Sequence, residues 1–188
     1  MKSYREKYFE DYVAVPNPAK PGKVKYVYSG PFLKCYVEGK SLKVRKRTVA
    51  ALEIVSIILY LASALQKAPF NAVRITGGLG ILALVPWVLE IAAVIRFIAF
   101  REYIPEAAKN ETDRMMEIGA MLHAALMAIV LAAGAAVLIR SGGMSLSSVP
   151  AMAGHLLSGI LSILIYRLYR GVYAETYRND HGKPGSRY

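Results

Sequence analysis

Four apolar stretches, each about as long as a lipid hydrocarbon layer is deep, constrain this chain more than any other feature. A helix must extend for about 20 mainly apolar residues to cross roughly 30 Å of hydrocarbon, because each residue advances about 1.5 Å and every backbone amide must bond within the helix. Residues 48–65, 75–100, 115–139 and 149–169 meet that requirement. The fold class expected is an all-α integral membrane protein, a four-transmembrane-helix bundle spanning 48–170.

The remaining chain is polar and basic. Residues 1–47 form a basic N-terminal region and 171–188 a basic tail. Pro16, Pro18 and Pro21 favour an extended path through 1–22. Residues 23–28 (KVKYVY) and 32–38 (FLKCYVE) are rich in strand formers and flank Ser29-Gly30-Pro31, so 23–39 reads as a small β-hairpin. Cys35 is the only cysteine, which excludes an internal disulfide and a cysteine-rich metal cluster. Met1 to Tyr12 alternates charges and aromatics and lacks the apolar core of a cleavable signal, so the first span is expected to direct insertion itself.

Charge sets the expected orientation. Lys34, Lys40, Lys43, Arg45, Lys46 and Arg47 precede the first span; Arg96, Arg101, Lys109 and Arg114 surround the middle connection; Arg167, Arg170, Arg178, Lys183 and Arg187 follow the fourth. The other two connections carry only Lys67 and Arg74, and Arg140. Basic residues accumulate on the cytoplasmic side, so both termini and the middle connection are expected there, in the cell membrane. The net charge of +11 then reads as topology signal and attraction to anionic head groups rather than as a nucleic-acid surface, for which no motif is present. Tyr166, Tyr169, Tyr173 and Tyr177 recur at near-helical spacing, predicting interfacial anchoring and a fourth helix that continues past the membrane surface.

Membrane helices associate through small residues that let backbones approach. Ala120, Ala124, Ala128, Ala132 and Ala136 lie four apart in the third span, and Gly154, Ser158 and Ser162 do so in the fourth, which predicts that these two helices pack together through the Ser141-Gly142-Gly143 turn. Gly77, Gly78 and Gly80 lack the spacing and neighbours of a phosphate loop and read as helix contact; Pro86 predicts a kink.

Ionisable residues inside a membrane are functional candidates, since a central Asp costs roughly 2.5–3.5 kcal/mol on insertion scales. Glu53 lies six positions beyond Arg47 and Glu90 six before Arg96, which puts both roughly 9 Å inside the same boundary. Glu117 and His123 are expected in the same half, giving a proton or cation site of Glu53, Glu90, Glu117 and His123; His155 counts as too distant. The competing structural reading pairs Glu53 or Glu90 with Arg96. No metalloprotease helix, nucleophile elbow or paired Glu-x-x-His signature occurs, so neither an enzyme nor a cofactor is expected. The sequence favours a non-enzymatic accessory or structural subunit of a membrane complex, with a protein partner or a second copy. The alternative is a transporter or channel subunit using Glu53 and Glu90.

Overall fold

A computed structural model describes residues 11–20, 22–35, 39–101, 103–140, 148–170 and 172–177. The chain is mostly helical, and four of its helices are long and apolar enough to cross a membrane: α1 (Gly39–Leu65), α2 (Arg74–Ala99), α3 (Glu106–Arg140) and α4 (Ser148–Tyr169). A short 3₁₀ turn, Pro69–Ala72, joins α1 to α2. α2 and α4 begin and end within a residue of the expected bounds. α1 starts nine residues before the expected 48 and α3 nine before 115. Both extensions are polar sequence that hydropathy does not count, and both are made largely of good helix formers such as Lys, Arg, Glu and Ala.

Five short strands accompany the helices: β1 (Tyr12–Pro16), β2 (Val24–Tyr28), β3 (Phe32–Cys35), β4 (Tyr103–Pro105) and β5 (Tyr173–Tyr177). The chain divides into two compact units, one holding the strands and the other the bundle.

In the strand unit the hairpin differs from the expected one. β2 pairs antiparallel with β1, not with β3, in the register Tyr12↔Tyr28 to Pro16↔Val24. The residues between form the turn: Asn17 N–H donates to the Lys23 carbonyl at 2.9 Å, and Gly22 takes a positive φ of 82° that a side chain disfavours. β3 is instead the centre of a second sheet, between β4 and β5. Its edges come from the connection after α2 and from the tail, segments that short-range pattern reading cannot join to it. β5 also corrects the expected continuation of the fourth helix: helix ends at Tyr169, and residues 173–177 are strand. Near-helical tyrosine spacing there yields to a glycine at 171 and to the strand preference of Tyr and Thr. Leu33, Cys35, Ile104, Ala107 and Val172 are the buried apolar residues of this unit. Tyr28 O–H donates to the Pro31 carbonyl, and burial, then the charge of Asp11, push its phenol up to about 12.

The bundle sets polar side chains within an apolar interior and presents large apolar side chains on its outside. Glu53, Ser56, Ser63, Glu90, His123, His155, Ser158 and Ser162 are buried, while Ile58, Ile81, Val85, Ile95, Ile129 and Ile160 are exposed. Water-soluble bundles carry charged and polar residues on the outer face instead, and this distribution is consistent with a multi-pass membrane protein. α4 packs most extensively on α1, not on α3. At the crossing the α4 backbone leaves no room for a side chain: a Cβ on Gly154 would overlap the Ser63 hydroxyl and lie 3.1 Å from the Leu59 carbonyl oxygen. Gly119 brings α3 against α2 in the same way, where a Cβ would lie 2.6 Å from Glu90 N.

The alanine stripe of α3 is not the contact face that its spacing suggested. Ala120 is buried and Ala124 half-buried, but Ala128, Ala132 and Ala136 are exposed. Each four-residue step advances about 40° beyond a full turn, so five positions sweep away from any fixed neighbour. The buried line is Met116, Ala120, His123, Met127, Val130, Gly134 and Leu138, whose mixed steps of three and four hold one direction.

Gly154→Val should destabilise the bundle by about 1–3 kcal/mol through overpacking, whereas Gly78→Val, where a Cβ meets nothing within 4 Å, should cost less than that. Denaturation in mixed micelles, followed by circular dichroism, measures both.

Candidate functional site

Polar residues line up on the inner faces of the helices because of their spacing. Glu53, Ser56, Tyr60 and Ser63 follow one another on α1 at steps of three, four and three, Ala83, Trp87 and Glu90 on α2 at four and three, and His155, Ser158 and Ser162 on α4 at three and four. Such steps average close to a helical turn, so each set forms one seam. α1 and α3 run one way and α2 and α4 the other, and the seams therefore meet in layers. The near end below is the one where α1 begins.

The middle layer is a hydrogen-bond chain that touches all four helices. His123 Nδ1 lies 3.4 Å from the Ala83 carbonyl oxygen, which can only accept, so Nδ1 carries the proton and donates. A neutral ring then offers Nε2 as acceptor, and the Ser158 hydroxyl donates to it at 3.1 Å. The Ser158 oxygen in turn accepts from Ser56 at 3.1 Å. Ser56, His123 and Ser158 are wholly inaccessible. The chain runs from α1 to α4 to α3 to α2.

On the far side of it sits an aromatic cluster. The Tyr60 ring is 4.8 Å from that of Trp87, 5.8 Å from His123 and 5.6 Å from His155, and Trp87 stacks on His123 at 5.6 Å with 27° between planes. The Tyr60 hydroxyl donates to the Gly80 carbonyl. Four rings, one from each helix, thus close the centre of the bundle.

On the near side lie the carboxyl groups. Glu53 is 4% exposed and Glu90 is fully buried. By strict hydrogen-bond geometry none of their four oxygens is bonded among the described residues, nor is the Ser162 hydroxyl, although Ser162 stands close enough to Glu90 to act on its carboxyl. Glu90 lies within electrostatic reach of Glu53 and beside Ser162. A buried polar group with no partner is costly and uncommon, and three side chains of this kind in one layer mark a place where the fold leaves chemistry unfinished.

The expected site is thus assembled in part. Glu53 and Glu90 share a layer, with no ion pair to Arg96, and His123 occupies the next layer, bonded to Ser158 rather than to an acid. Glu117 is exposed and does not belong to the site: it falls one position after buried Met116, about 100° round the helix. His155, expected to be too distant, is buried against Tyr60 because α4 enters from the far end and has come two turns down by that point. Ser158 and Ser162, read from the sequence as packing residues, are site residues too. Ser56, Tyr60 and Trp87 were missed, and the three-and-four spacing of the α1 polar residues was the signal that would have found them. Among the described residues no three His, Cys, Asp or Glu side chains converge on a point that would hold a metal ion.

No known protein family, curated protein or solved structure matches this chain.

Ser158→Ala removes two of the bonds that join the helices. At about 0.6 kcal/mol on average for an interhelical bond, it should cost on the order of 1 kcal/mol in micelle denaturation. Nitrogen NMR should find His123 as the Nδ1–H tautomer in the parent, and lose that bias in the variant.

Proposed function

We propose that this chain is a multi-pass membrane protein that acts as a transporter or channel subunit, with Glu53 and Glu90 as its proton-binding site. The observation that carries this reading is the pair of buried, unpartnered carboxyl groups beside Ser162. As carboxylates both can only accept hydrogen bonds, and they repel each other. One proton changes that: the protonated acid can donate an O–H to its neighbour, and the Ser162 hydroxyl can serve one of the two oxygens that remain. A proton is thus the smallest addition that removes the repulsion between the two acids. It suits the donor set better than a divalent metal, for which a third ligand from His, Cys, Asp or Glu is wanting among the described residues.

A route for that proton is supported by the neighbouring layers. Ser56 and Ser158 are hydroxyls that donate and accept at once, and His123 exchanges its two ring nitrogens between those roles, so the chain can reverse its direction as a proton passes. Tyr60 and His155 extend the titratable groups toward the far end.

Membrane placement with both termini in the cytoplasm is supported by two independent features. The basic residues gather around the N-terminal region, the middle connection and the tail. Strands from these same three segments pair in one sheet, which requires all three to be on one side of any bilayer. Four helices enclose little space, so transport by this chain calls for a second copy or a partner protein. The accessory-subunit role keeps its place as the second reading, since nothing in the bundle resembles a catalytic constellation.

The test is proton uptake into liposomes holding the purified protein, read with an internal pH dye under an imposed potential. The parent should conduct protons, and Glu53→Gln or Glu90→Gln should reduce the rate at least tenfold while helix content stays the same. Parent vesicles no more permeable than empty ones would favour the accessory role, and unaltered flux in both variants would remove the proton site.

A further inference from the structure

We infer that the β1–β2 hairpin is a docking surface for an anionic lipid head-group layer. This inference uses none of the residues of the acid pair.

Among the described residues the hairpin is a two-stranded sheet with no third strand. Residues paired across an antiparallel ladder share a face, so Tyr12, Ala14 and Pro16 lie with Tyr28, Tyr26 and Val24 on one side, and Val13 and Val15 with Val27 and Lys25 on the other. Both faces are apolar, and toward the tip both are open, with Val24 and Tyr26 each 60% exposed, Val13 50% and Val27 42%, while at the base Tyr28 is half-buried against Phe32. A lone two-stranded hairpin is marginally stable at best in water, and one with two bare apolar faces is more so.

Charge identifies the covering. Lys20, Lys23 and Lys25 are all exposed and lie at the turn end of the hairpin, whereas Asp11 is at its base. A tip that combines lysines with valines and a tyrosine matches the head-group zone of a bilayer, where phosphates bind the ammonium groups, amphipathic rings are favoured and acyl chains lie just beneath. Such a surface is also within reach. The chain passes from Tyr28 to Gly39, the first residue of α1, in eleven steps, at most about 40 Å of extended backbone.

The experiment uses the full chain in lipid nanodiscs. Val24→Cys, in a Cys35→Ala background, carries an environment-sensitive fluorophore at the tip. In discs containing phosphatidylserine the emission should shift to the blue and be quenched by spin-labelled lipid. In phosphatidylcholine alone, or in high salt, it should resemble that of a label in water. Lys20→Glu, Lys23→Glu and Lys25→Glu together should lower the docked-to-undocked ratio about a hundredfold or more, taking about fivefold for each lysine near such a surface. The corresponding arginine triple should dock as the parent does, which separates loss of charge from loss of the hairpin. A water-like signal in every lipid composition would overturn the inference. So would a blue shift indifferent to lipid charge and to the lysine variants, which would mean that a second copy of the chain or another protein covers the faces.

Discussion

Where no water is available, a hydroxyl, imidazole or carboxyl has only the rest of the protein to bond with, and this bundle is organised around that constraint. The Ser56–Ser158–His123–Ala83 chain meets it with one group from each helix. In a bilayer, where apolar helix surfaces would gain little from one another, such contacts and close backbone approaches would do much to select one arrangement of four apolar helices among many. The glycine crossings serve the same end. Gly154 lets α4 come down on α1 and Gly119 lets α3 come up to α2, and these approaches bring the hydroxyls and the ring within bonding distance.

Against that background the acid layer is conspicuous. The same fold that bonds Ser56, Ser158, His123 and Tyr60 leaves all four oxygens of Glu53 and Glu90 without a well-formed hydrogen bond among the described residues, as it does the single ring atoms Trp87 Nε1 and His155 Nδ1. An arginine was available in the sequence for a purely structural solution, and neither carboxyl uses it. A charge left bare in an apolar interior is costly in a way that a shared proton relieves, and the proposed proton site rests on that cost.

The strand unit solves a different problem. The N-terminal region, the middle connection and the tail are far apart in sequence, and β3 of the first binds the other two as edge strands. Main-chain hydrogen bonds tie together parts of the chain more than 60 residues apart, with Leu33 and Cys35 of the central strand buried. The hairpin that precedes it has no such cover. Its open faces and basic tip distinguish it from the sheet next to it in sequence.

Hydropathy and length alone determined the number of membrane-long helices and, for α2 and α4, their ends, because a helix in lipid closes its hydrogen bonds locally and each span can be read without knowing its neighbours. The common depth of Glu53 and Glu90 was legible for the same reason: depth is a count along one helix. Rotation about the helix axis and choice of neighbour are not local. They placed Glu117 outside, drew His155 in, turned Ala128, Ala132 and Ala136 away from the core, and set α4 on α1. The sheet partners of β3 follow the same rule, since strand pairing over such separations depends on where the helices deliver the chain. For the four long helices the chain's own residues decided what each segment is; only the packed structure decided what each one faces and which segments become strands, because facing and strand pairing are properties of pairs.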